Sequence, residues 1–310
     1  MIGAAVDIGS TSVHLLVAEV TDHGLTALAD ESVFLGLGDA IHGDGLLGTA
    51  GRAALSAALA RYAETARGLG AAAITFVGTE PLRRAGDAAR IVTEVECASG
   101  VSVHVLTHEE EAYLTLIGVL EGRAVTSETL VVDIGGGSTE FVLVGPGQPP
   151  RGWGVRLGAA RLTGAYLEGD PPSSDEIEAM RRTAQVVLGQ AQDARPAEIT
   201  GVGGTATNLL KLLPEARMDR RLTRARIVQI LGILAAAPAA LISERELVKP
   251  IRARLLPAGA VIVDAVLERY GTRAMHVSDE GLREGTVLAV AHAGPSWRDR
   301  LPTLARGWRD

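Results

Sequence analysis

The sequence predicts an α/β protein of two duplicated domains with a cleft between them. The first observation behind this prediction is an internal repeat: "AAVDIGSTSVHLLVAEV" near the start returns as "TLVVDIGGGSTEFVLVG". Asp7 and Asp133 align, 126 positions apart (133 − 7). The second observation is that strand and helix patterns alternate in both halves, as they do in layered α/β domains.

Both copies of the repeat are predicted to form a β-hairpin, in which an apolar strand ends in aspartate and a turn of glycine and hydroxyl residues leads to a second apolar strand. Each copy opens one half of the 310-residue chain, which is longer than one typical domain. We place the domains at residues 1–124 and 125–310, with the boundary in the polar stretch "EGRAVTSE". A single large domain is the alternative.

Hydrophobic periodicity predicts the remaining elements. In the first half these are strands near 25–37, at "AAITFVGT" and at "VSVHVL", and helices near 50–69, 86–98 and 108–121. In the second half they are a strand near 152–157, helices near 158–167 and 173–192, and a strand, glycine turn and helix at "AEITGVGGTATNLLKLL". The segment from Gly294 onward fits either a docked helix or a frayed end.

Composition narrows the expected environment and partners. The single Cys97 excludes a disulfide within the chain, and "MIGAAVDIGS" lacks the features of a secretory signal, so a cytoplasmic protein is expected. The net charge of −7 argues against nonspecific binding of nucleic acid. The most apolar stretches are too short or too interrupted to cross a bilayer. We therefore expect neither a nucleic-acid polymer nor a membrane as partner.

The turn of the second hairpin indicates a phosphate site. Three consecutive glycines have no Cβ to obstruct approach, so successive backbone N–H groups can face one anion, and hydroxyl side chains add donors. The alternative is a hairpin whose glycines only satisfy a positive φ. The phosphate-binding candidates in this turn are Gly135, Gly136, Gly137, Ser138 and Thr139.

Two further turns are weaker candidates for phosphate binding. The first hairpin supplies Gly9, Ser10, Thr11 and Ser12, which alone also fit an ordinary polar turn. The later turn "GVGGTATN" supplies Gly203, Gly204 and Thr205 at a predicted helix N-terminus, where free N–H groups attract anions; simple strand-to-helix geometry is its alternative. Because GxxxxGK[ST] and GxGxxG are absent, the phosphates would be held by a different loop arrangement.

Carboxylates beside the two hairpin turns suggest a magnesium site. Asp133 and Glu140 flank the glycines of the second hairpin, and carboxylate oxygens are ligands that Mg²⁺ prefers. Asp7 occupies the matching position of the first hairpin. We therefore take Asp7, Asp133 and Glu140 as the metal candidates and Mg²⁺ as the expected cofactor.

A run of glutamates opens the helix predicted at "LTHEEEAYLTLIGVL". Thr107 and Glu110 fit a capping box, and Glu109 suits a solvated first turn. Glu111 lies beside the apolar stripe of the helix. The pattern alone leaves open whether Glu111 has a structural or a catalytic role.

The three glycine turns, in this order, resemble those of the actin, Hsp70 and sugar-kinase superfamily, whose domains have a ribonuclease H-like fold. Within it, the chain resembles the exopolyphosphatase/guanosine pentaphosphate phosphohydrolase family. The matching segments are "AAVDIGSTSVHLLVA", "GTEPLRRA", "THEEEAYLTLIGV", "VVDIGGGSTEFVL", "VRLGAARLT", "GVGGTATNL" and "VSDEGLREG". The chain departs from the pattern at Thr11, His108 and "GTEPLRRA", and it resembles the short members that lack a further C-terminal phosphohydrolase domain.

The resemblance assigns roles to individual residues. It implies that Glu111, the last glutamate before the alanine, is the general base, and that Arg83 contacts substrate phosphate; an exposed surface arginine is the alternative for Arg83. It also implies a homodimer.

The expected activity is removal of the terminal phosphate from inorganic polyphosphate, of short chains in particular, or from guanosine pentaphosphate. Two alternatives remain open. One is a noncatalytic sensor that binds an alarmone or polyphosphate, and the other is a small-molecule kinase of the same superfamily that uses ATP.

Overall fold

A computed structural model describes residues 1–22, 24–41, 45–246 and 248–308. The chain forms two compact units: Met1–Ala124 with Glu280–Asp310 make up the first, and Val125–Asp279 the second. The sequence placed residues 280–310 in the second domain, whereas they lie in the first unit. The cause is a close helix crossing described below, which sequence periodicity does not reveal.

The strands and helices follow the chain in alternating groups. The strands are β1 (Ile2–Ile8), β2 (Ser12–Thr21), β3 (Gly24–Phe34), β4 (Ala73–Gly78), β5 (Val103–Val105), β6 (Thr129–Ile134), β7 (Thr139–Val144), β8 (Arg151–Val155), β9 (Glu198–Val202), β10 (Arg221–Thr223) and β11 (Ala274–Val277). The helices are α1 (Leu37–Ala40), α2 (Thr49–Gly68), α3 (Glu80–Arg84), α4 (Ala88–Ser99), α5 (His108–Leu120), α6 (Ala159–Tyr166), α7 (Ser174–Gly189), α8 (Gly203–Leu210), α9 (Pro214–Asp219), α10 (Arg224–Ala236), α11 (Ala239–Glu246), α12 (Pro250–Arg269), α13 (Leu282–Ala293) and α14 (Leu301–Leu304).

The first unit contains a mixed five-stranded sheet in the order β3-β2-β1-β4-β5. β1 and β2 pair antiparallel, as do β2 and β3, while β4 runs parallel to both β1 and β5. β1 is apolar at nearly every position because both faces are covered: Val6 packs in one hydrophobic cluster and Ala5 in another. This central strand delivers Asp7 to the hairpin turn.

The second unit contains a mixed six-stranded sheet in the order β10-β11-β9-β6-β7-β8. β8-β7-β6-β9-β11 repeats the order and directions of β3-β2-β1-β4-β5, so β6 and β7 form the hairpin equivalent to β1 and β2. The predicted α/β class and the duplication are therefore confirmed. β10 and β11 are strands that the periodicity did not predict.

A long buried helix organises the core of the second unit. α12 is buried from Leu256 to Leu267 and packs against α7, α6, α10, α11 and α8. Its Gly259 lets the start of α8 approach, because an added Cβ there would overlap the Thr205 methyl group. The glycine turn that opens α8 is thus held by core packing as well as by its strand.

Helices α5 and α13 of the first unit cross with their backbones in contact. A Cβ added to Gly118 would overlap the Gly281 carbonyl, and one added to Gly285 would overlap the Leu114 carbonyl. Only glycine permits such an approach. This crossing anchors the C-terminal segment in the first unit.

The described part of the C-terminal segment is packed into the fold rather than frayed. Trp297 and Leu301 are buried, with 4% and 1% of their surfaces exposed.

Among the described residues no single helix has the length and hydropathy to cross a membrane. Helices α10 and α11 reach that threshold only when they are taken together, and the pair is bent by 119°.

Candidate functional site

The two hairpin turns are closed in the same way. In the first unit the Gly9 N–H donates to the Ser12 carbonyl at 3.2 Å, and in the second the Gly135 N–H donates to the Ser138 carbonyl at 3.0 Å. A Cβ at either glycine would lie 3.1 Å from the accepting oxygen, so both turns are tight at their first residue. The repeat seen in the sequence is thus a repeat of hydrogen bonding.

The carbonyl groups of the first turn are held by the segment that follows β3. Ser10 O accepts from the Gly38 N–H at 2.8 Å, and Thr11 O accepts from the Gly36 N–H at 3.0 Å. In a planar trans peptide the C=O and N–H point in opposite directions. The N–H groups of Thr11 and Ser12 are therefore directed away from this segment.

The carbonyl groups of the second turn are held by the start of α6. Gly135 O accepts from the Ala159 N–H at 2.9 Å, and Gly136 O accepts from the Arg161 N–H at 3.0 Å. Gly137 O accepts from Arg161 Nε at 2.9 Å. By the same peptide geometry, the N–H that follows each carbonyl points away from α6. Three successive amides thus face one direction, as an anion-binding nest requires.

The hydroxyl of Ser10 already has an acceptor. Ser10 Oγ donates to Glu80 Oε2 at 2.7 Å, and the buried Glu80 is paired at its other oxygen with Arg84 Nε at 3.0 Å. Arg84 also donates to the Gly38 and Ile41 carbonyls. A hydroxyl has one hydrogen to donate. The Ser10 hydroxyl therefore serves the fold in this structure, and a contact between Ser10 and phosphate stays a prediction.

The hydroxyl of Thr139 is likewise used inside the fold. Thr139 has no exposed surface, and its Oγ1 donates to Leu157 O at 2.6 Å. This differs from the expectation that Thr139 donates to phosphate, because its one hydroxyl hydrogen ties β7 to the chain before α6. In the first hairpin the equivalent residue is Val13, which has no donor.

The third turn lies against Asp133 of the second hairpin. Gly203 has a φ of +82°, and a Cβ there would lie 2.6 Å from Asp133 Oδ1, so two independent constraints require glycine. A Cβ at Gly204 would lie 2.9 Å from Arg252 Nη1. Thr205 is buried at the start of α8. The second unit therefore brings a hairpin carboxylate, a helix N-terminus and a guanidinium together.

The carboxylates are arranged differently in the two units. Asp133 and Glu140 are directly opposed on β6 and β7, so their side chains share one face of the sheet, and Glu140 is buried. In the first unit Asp7 is opposed by His14, and Arg283 lies within electrostatic reach of Asp7. The second unit offers two hard oxygen ligands, a donor set that fits Mg²⁺. The first offers one carboxylate beside a cation.

The predicted capping box at the start of α5 is present. Thr107 Oγ1 accepts from the Glu110 N–H at 3.2 Å, and Glu110 Oε2 accepts from the Thr107 N–H at 2.8 Å. The next residue, Glu111, is only 6% exposed. A carboxylate with so little contact with water is uncommon unless the fold supplies a partner.

That partner is Arg83. Its Nη1 donates to Glu111 Oε2 at 2.5 Å and to Leu106 O at 3.0 Å, and its Nη2 lies 3.2 Å from Nδ1 of His108. Arg83 is therefore not the exposed surface arginine of the alternative interpretation. In this structure it orients the predicted base, and its contact with substrate phosphate stays a prediction.

Three residues that lie against the turns escaped the sequence analysis. They are Glu80, Arg161 and Arg252. Glu80 and Arg161 lie in segments recognised by resemblance, but their hydrogen-bond partners are distant in sequence. Arg252 opens α12, and nothing in its local pattern connects it to the turn before α8. Only a three-dimensional structure identifies these contacts.

The chain matches the model of the Ppx/GppA phosphatase family over residues 16–293. "Exopolyphosphatase 1" of Mycobacterium tuberculosis is 26% identical over 295 residues, covering 91% of this chain and 86% of that protein. A Ppx/GppA structure from Aquifex aeolicus superposes on this chain with a TM-score of 0.80 and 27% sequence identity. The match covers 95% of this chain and 99% of that one. An exopolyphosphatase structure from Cytophaga hutchinsonii has the same fold, with a TM-score of 0.82 at 20% identity, covering 96% of this chain and 98% of that one. Since the family match spans most of the sequence, this chain belongs to the Ppx/GppA phosphatase family.

Proposed function

We propose that this protein hydrolyses the terminal phosphoanhydride bond of inorganic polyphosphate, with guanosine pentaphosphate as the second candidate substrate. The observation that carries the proposal is the buried Glu111 carboxylate, held by Arg83 at the first turn of α5. The family and the exopolyphosphatase relative support the same reaction class. We propose short chains as the preferred polyphosphate.

In this proposal Glu111 accepts a proton from water as the water oxygen attacks the terminal phosphorus in line. A P–O bond forms to water, and the bridging P–O bond breaks. The products are inorganic phosphate and a chain shorter by one phosphate. The N–H groups of the hairpin turns stabilise negative charge on the nonbridging oxygens, because fixed dipoles need no reorganisation during the reaction.

Arg83 orients the base in this scheme. Its hydrogen bonds to Glu111 and to the Leu106 carbonyl restrict the carboxylate to one position. A base must lie within hydrogen-bond reach of the water it activates, so restriction favours the productive geometry. Arg83 remains a candidate phosphate contact as well.

Mg²⁺ is the proposed cofactor, and Asp133 and Glu140 are the residues that would hold it. Their opposed carboxylates provide the hard oxygen ligands that this cation prefers. Asp7 is retained as a further candidate ligand, although Arg283 lies near it. When bound, the cation would neutralise charge on the substrate phosphates.

The test is phosphate release from tripolyphosphate, longer polyphosphates and guanosine pentaphosphate, each with Mg²⁺. We expect release that needs only water as acceptor. Binding without turnover on any substrate would favour the sensor, and ADP formation that depends on an added acceptor would favour the kinase. Either result overturns the proposed hydrolase.

Glu111→Gln tests the proposed base. General-base catalysis contributes about 10² to 10⁴ in rate, so kcat should fall by that factor while substrate binding persists. Glu109→Gln is the matched control, since Glu109 is exposed and accepts a hydrogen bond only from the Tyr113 hydroxyl among its described contacts. A Glu111→Gln variant that releases phosphate at the wild-type rate would contradict the assignment.

We also propose that the enzyme acts in the cytoplasm as a homodimer. The dimer rests on the family resemblance, and light scattering at several protein concentrations tests it. The cytoplasmic location rests on the single Cys97, because proteins of oxidising compartments often carry disulfides.

A further inference from the structure

Two arginines link the strand end before α5 to successive glutamates of that helix. Arg83 joins Leu106 O to Glu111, at 3.0 and 2.5 Å. Arg298, from the C-terminal segment, joins Val105 O to Glu110. The carbonyls are consecutive in the chain, and so are the carboxylates. The entry to α5 is thus bridged twice, once by each arginine.

The Arg298 bridge is bidentate. Nε donates to Glu110 Oε1 at 2.5 Å and Nη2 donates to Oε2 at 2.8 Å, while Nη2 also donates to Val105 O at 2.9 Å. Burial alone would raise the pKa of Glu110, but the hydrogen bonds from Arg298 and Thr107 outweigh it and lower this pKa. Two parallel hydrogen bonds fix orientation as well as distance.

The neighbouring Trp297 anchors this arginine. Its side chain is 4% exposed, and its ring meets that of His104 edge to face, with centroids 5.3 Å apart. His104 lies on β5, directly before the bridged carbonyls. Arg298 is therefore held at the entry to α5 by a packed aromatic pair rather than by a flexible tail.

We propose that Arg298 is a positioning residue for catalysis. It acts through Glu110, which also caps α5, and so fixes the first turn of the helix on which Glu111 lies. This inference rests on the proposed function of Glu111. Among the described residues Arg298 bonds Glu110 and the Val105 carbonyl rather than Glu111, so its proposed effect is on the geometry of the helix start.

A positioning role and a merely structural role make different predictions. The side chains of Arg298 and Glu110 are 39% and 21% exposed. Ion pairs that are exposed to solvent to this extent add little to the free energy of unfolding. In contrast, moving a reacting group by about 1 Å can cost about 10²-fold in rate. Loss of the bridge should therefore reduce kcat far more than it reduces Tm.

The experiment compares Arg298→Met and Arg298→Lys with Arg300→Met. Arg300 is exposed and lies two residues further on, so it controls for loss of a nearby guanidinium. We expect Arg298→Met to lower kcat by roughly 10- to 100-fold with KM unchanged, and to lower Tm by at most about 4 °C. Arg298→Lys should recover part of kcat, because an ammonium can pair with Glu110 without the bidentate geometry. Arg300→Met should match the wild type.

Two kinetic outcomes would overturn the inference. One is a wild-type kcat in Arg298→Met. The other is a kcat loss that only follows the loss of folded protein, with no rescue by lysine. Glu110→Gln should lower kcat similarly, and its combination with Arg298→Met should add little, because both changes remove the same bridge.

Hydrogen exchange gives a readout that does not depend on activity. The Glu111 N–H donates to Thr107 O at 3.0 Å in the first turn of α5. This amide should exchange faster in Arg298→Met than in Arg300→Met. If the wild type releases no phosphate yet this difference appears, the hydrolase proposal fails while the positioning contact stands. Equal exchange in the two variants would overturn the contact's role.

Discussion

The two hairpin turns present backbone amides in equivalent ways but are supported by different means. In the first unit the turn keeps side chains at Ser10 and Thr11 and is anchored through a buried carboxylate, Glu80. In the second the turn is three glycines held by the backbone and one side chain of α6. The comparison shows that duplication preserved the closing bond and the strand register while the supporting contacts diverged.

The supporting contacts differ because the segments that hold the two turns approach them to different distances. A Cβ at Gly158 would lie 2.5 Å from Gly137 N and closer still to the Gly136 carbonyl, so α6 begins in direct backbone contact with the turn. A Cβ at Gly38 would lie 3.0 Å from Ser10 Cβ, a looser contact. The closer support therefore excludes a Cβ at Gly158, whereas the support of the first turn tolerates the Ser10 side chain.

We expect the largest loss of activity from Gly158→Ala, which tests the close contact between the start of α6 and the second turn. Gly158 has φ −147° and ψ 157°, which alanine can adopt, so the penalty comes from the overlap with the turn. Displacing the turn by about 1 Å should reduce kcat/KM by about 10²-fold. Gly38→Ala should lose less, because its nearest contact is the Ser10 side chain.

The control for Gly158→Ala is Gly164→Ala, which lies inside α6, where an added Cβ meets nothing within 4 Å. Alanine is the better helix former, so this variant should be as active as the wild type and at least as stable. If Gly38→Ala proved more damaging than Gly158→Ala, our account of the two supports would be wrong.

Glu80→Ala tests the support of the first turn. It removes the acceptor of Ser10 and leaves the Arg84 guanidinium, 21% exposed, without its carboxylate partner. We expect the free energy of unfolding to fall by about 2 kcal/mol, measured by urea denaturation. Ser10→Ala should cost less and leave KM near the wild-type value, because the Ser10 hydroxyl donates to Glu80. A large rise in KM for Ser10→Ala would show that phosphate displaces this bond.

The smallest effect concerns acid stability. Each unit has a capping box with glutamate, and in the second unit this glutamate is Glu176, at the start of α7. Hydrogen bonds from the Gly169 and Ser173 N–H groups lower the pKa of Glu176 from 4.5 to about 2. A lowered folded-state pKa means that the unfolded chain binds more protons between these values. The contribution is complete above about pH 4.5 and disappears as the pH falls toward 2.

Urea midpoints at pH 3 and pH 6 measure this contribution. The wild type should lose more stability on acidification than Glu176→Gln, with Asp175→Asn, an exposed neighbour, as the control. An identical acid dependence in the wild type and Glu176→Gln would show that Glu176 contributes nothing in this pH range.

Local patterns predicted the duplicated hairpins because strand alternation and glycine turns depend on nearby residues. The capping box of α5 was predicted for the same reason. The strand predicted near 25–37 is shorter in the structure, because β3 ends at Phe34 and the short α1 begins at Leu37. Residues 280–310 were placed in the wrong domain because the Gly118 and Gly285 crossing joins helices far apart in sequence.

The candidate site was predictable in its residue types but not in its hydrogen bonds. The Thr139 hydroxyl suggested a phosphate donor, yet it donates to Leu157 O, just as the Ser10 hydroxyl donates to Glu80. Their acceptors, Glu80 and Leu157 O, carry no sequence signal that connects them. Similarly, the Arg83 match predicted a phosphate contact but not its bond to Glu111.

The central claim is that backbone amides of the two hairpin turns bind the substrate phosphates. The most direct test follows the backbone amide resonances of the Glu111→Gln variant while tripolyphosphate is added. This variant should bind the substrate without turning it over. The account predicts that the amides of Gly136, Gly137 and Thr11 shift with saturation, while those of Gly164 and Gly189 remain in place. Saturable binding, seen by calorimetry, without any shift at the turn amides would contradict it.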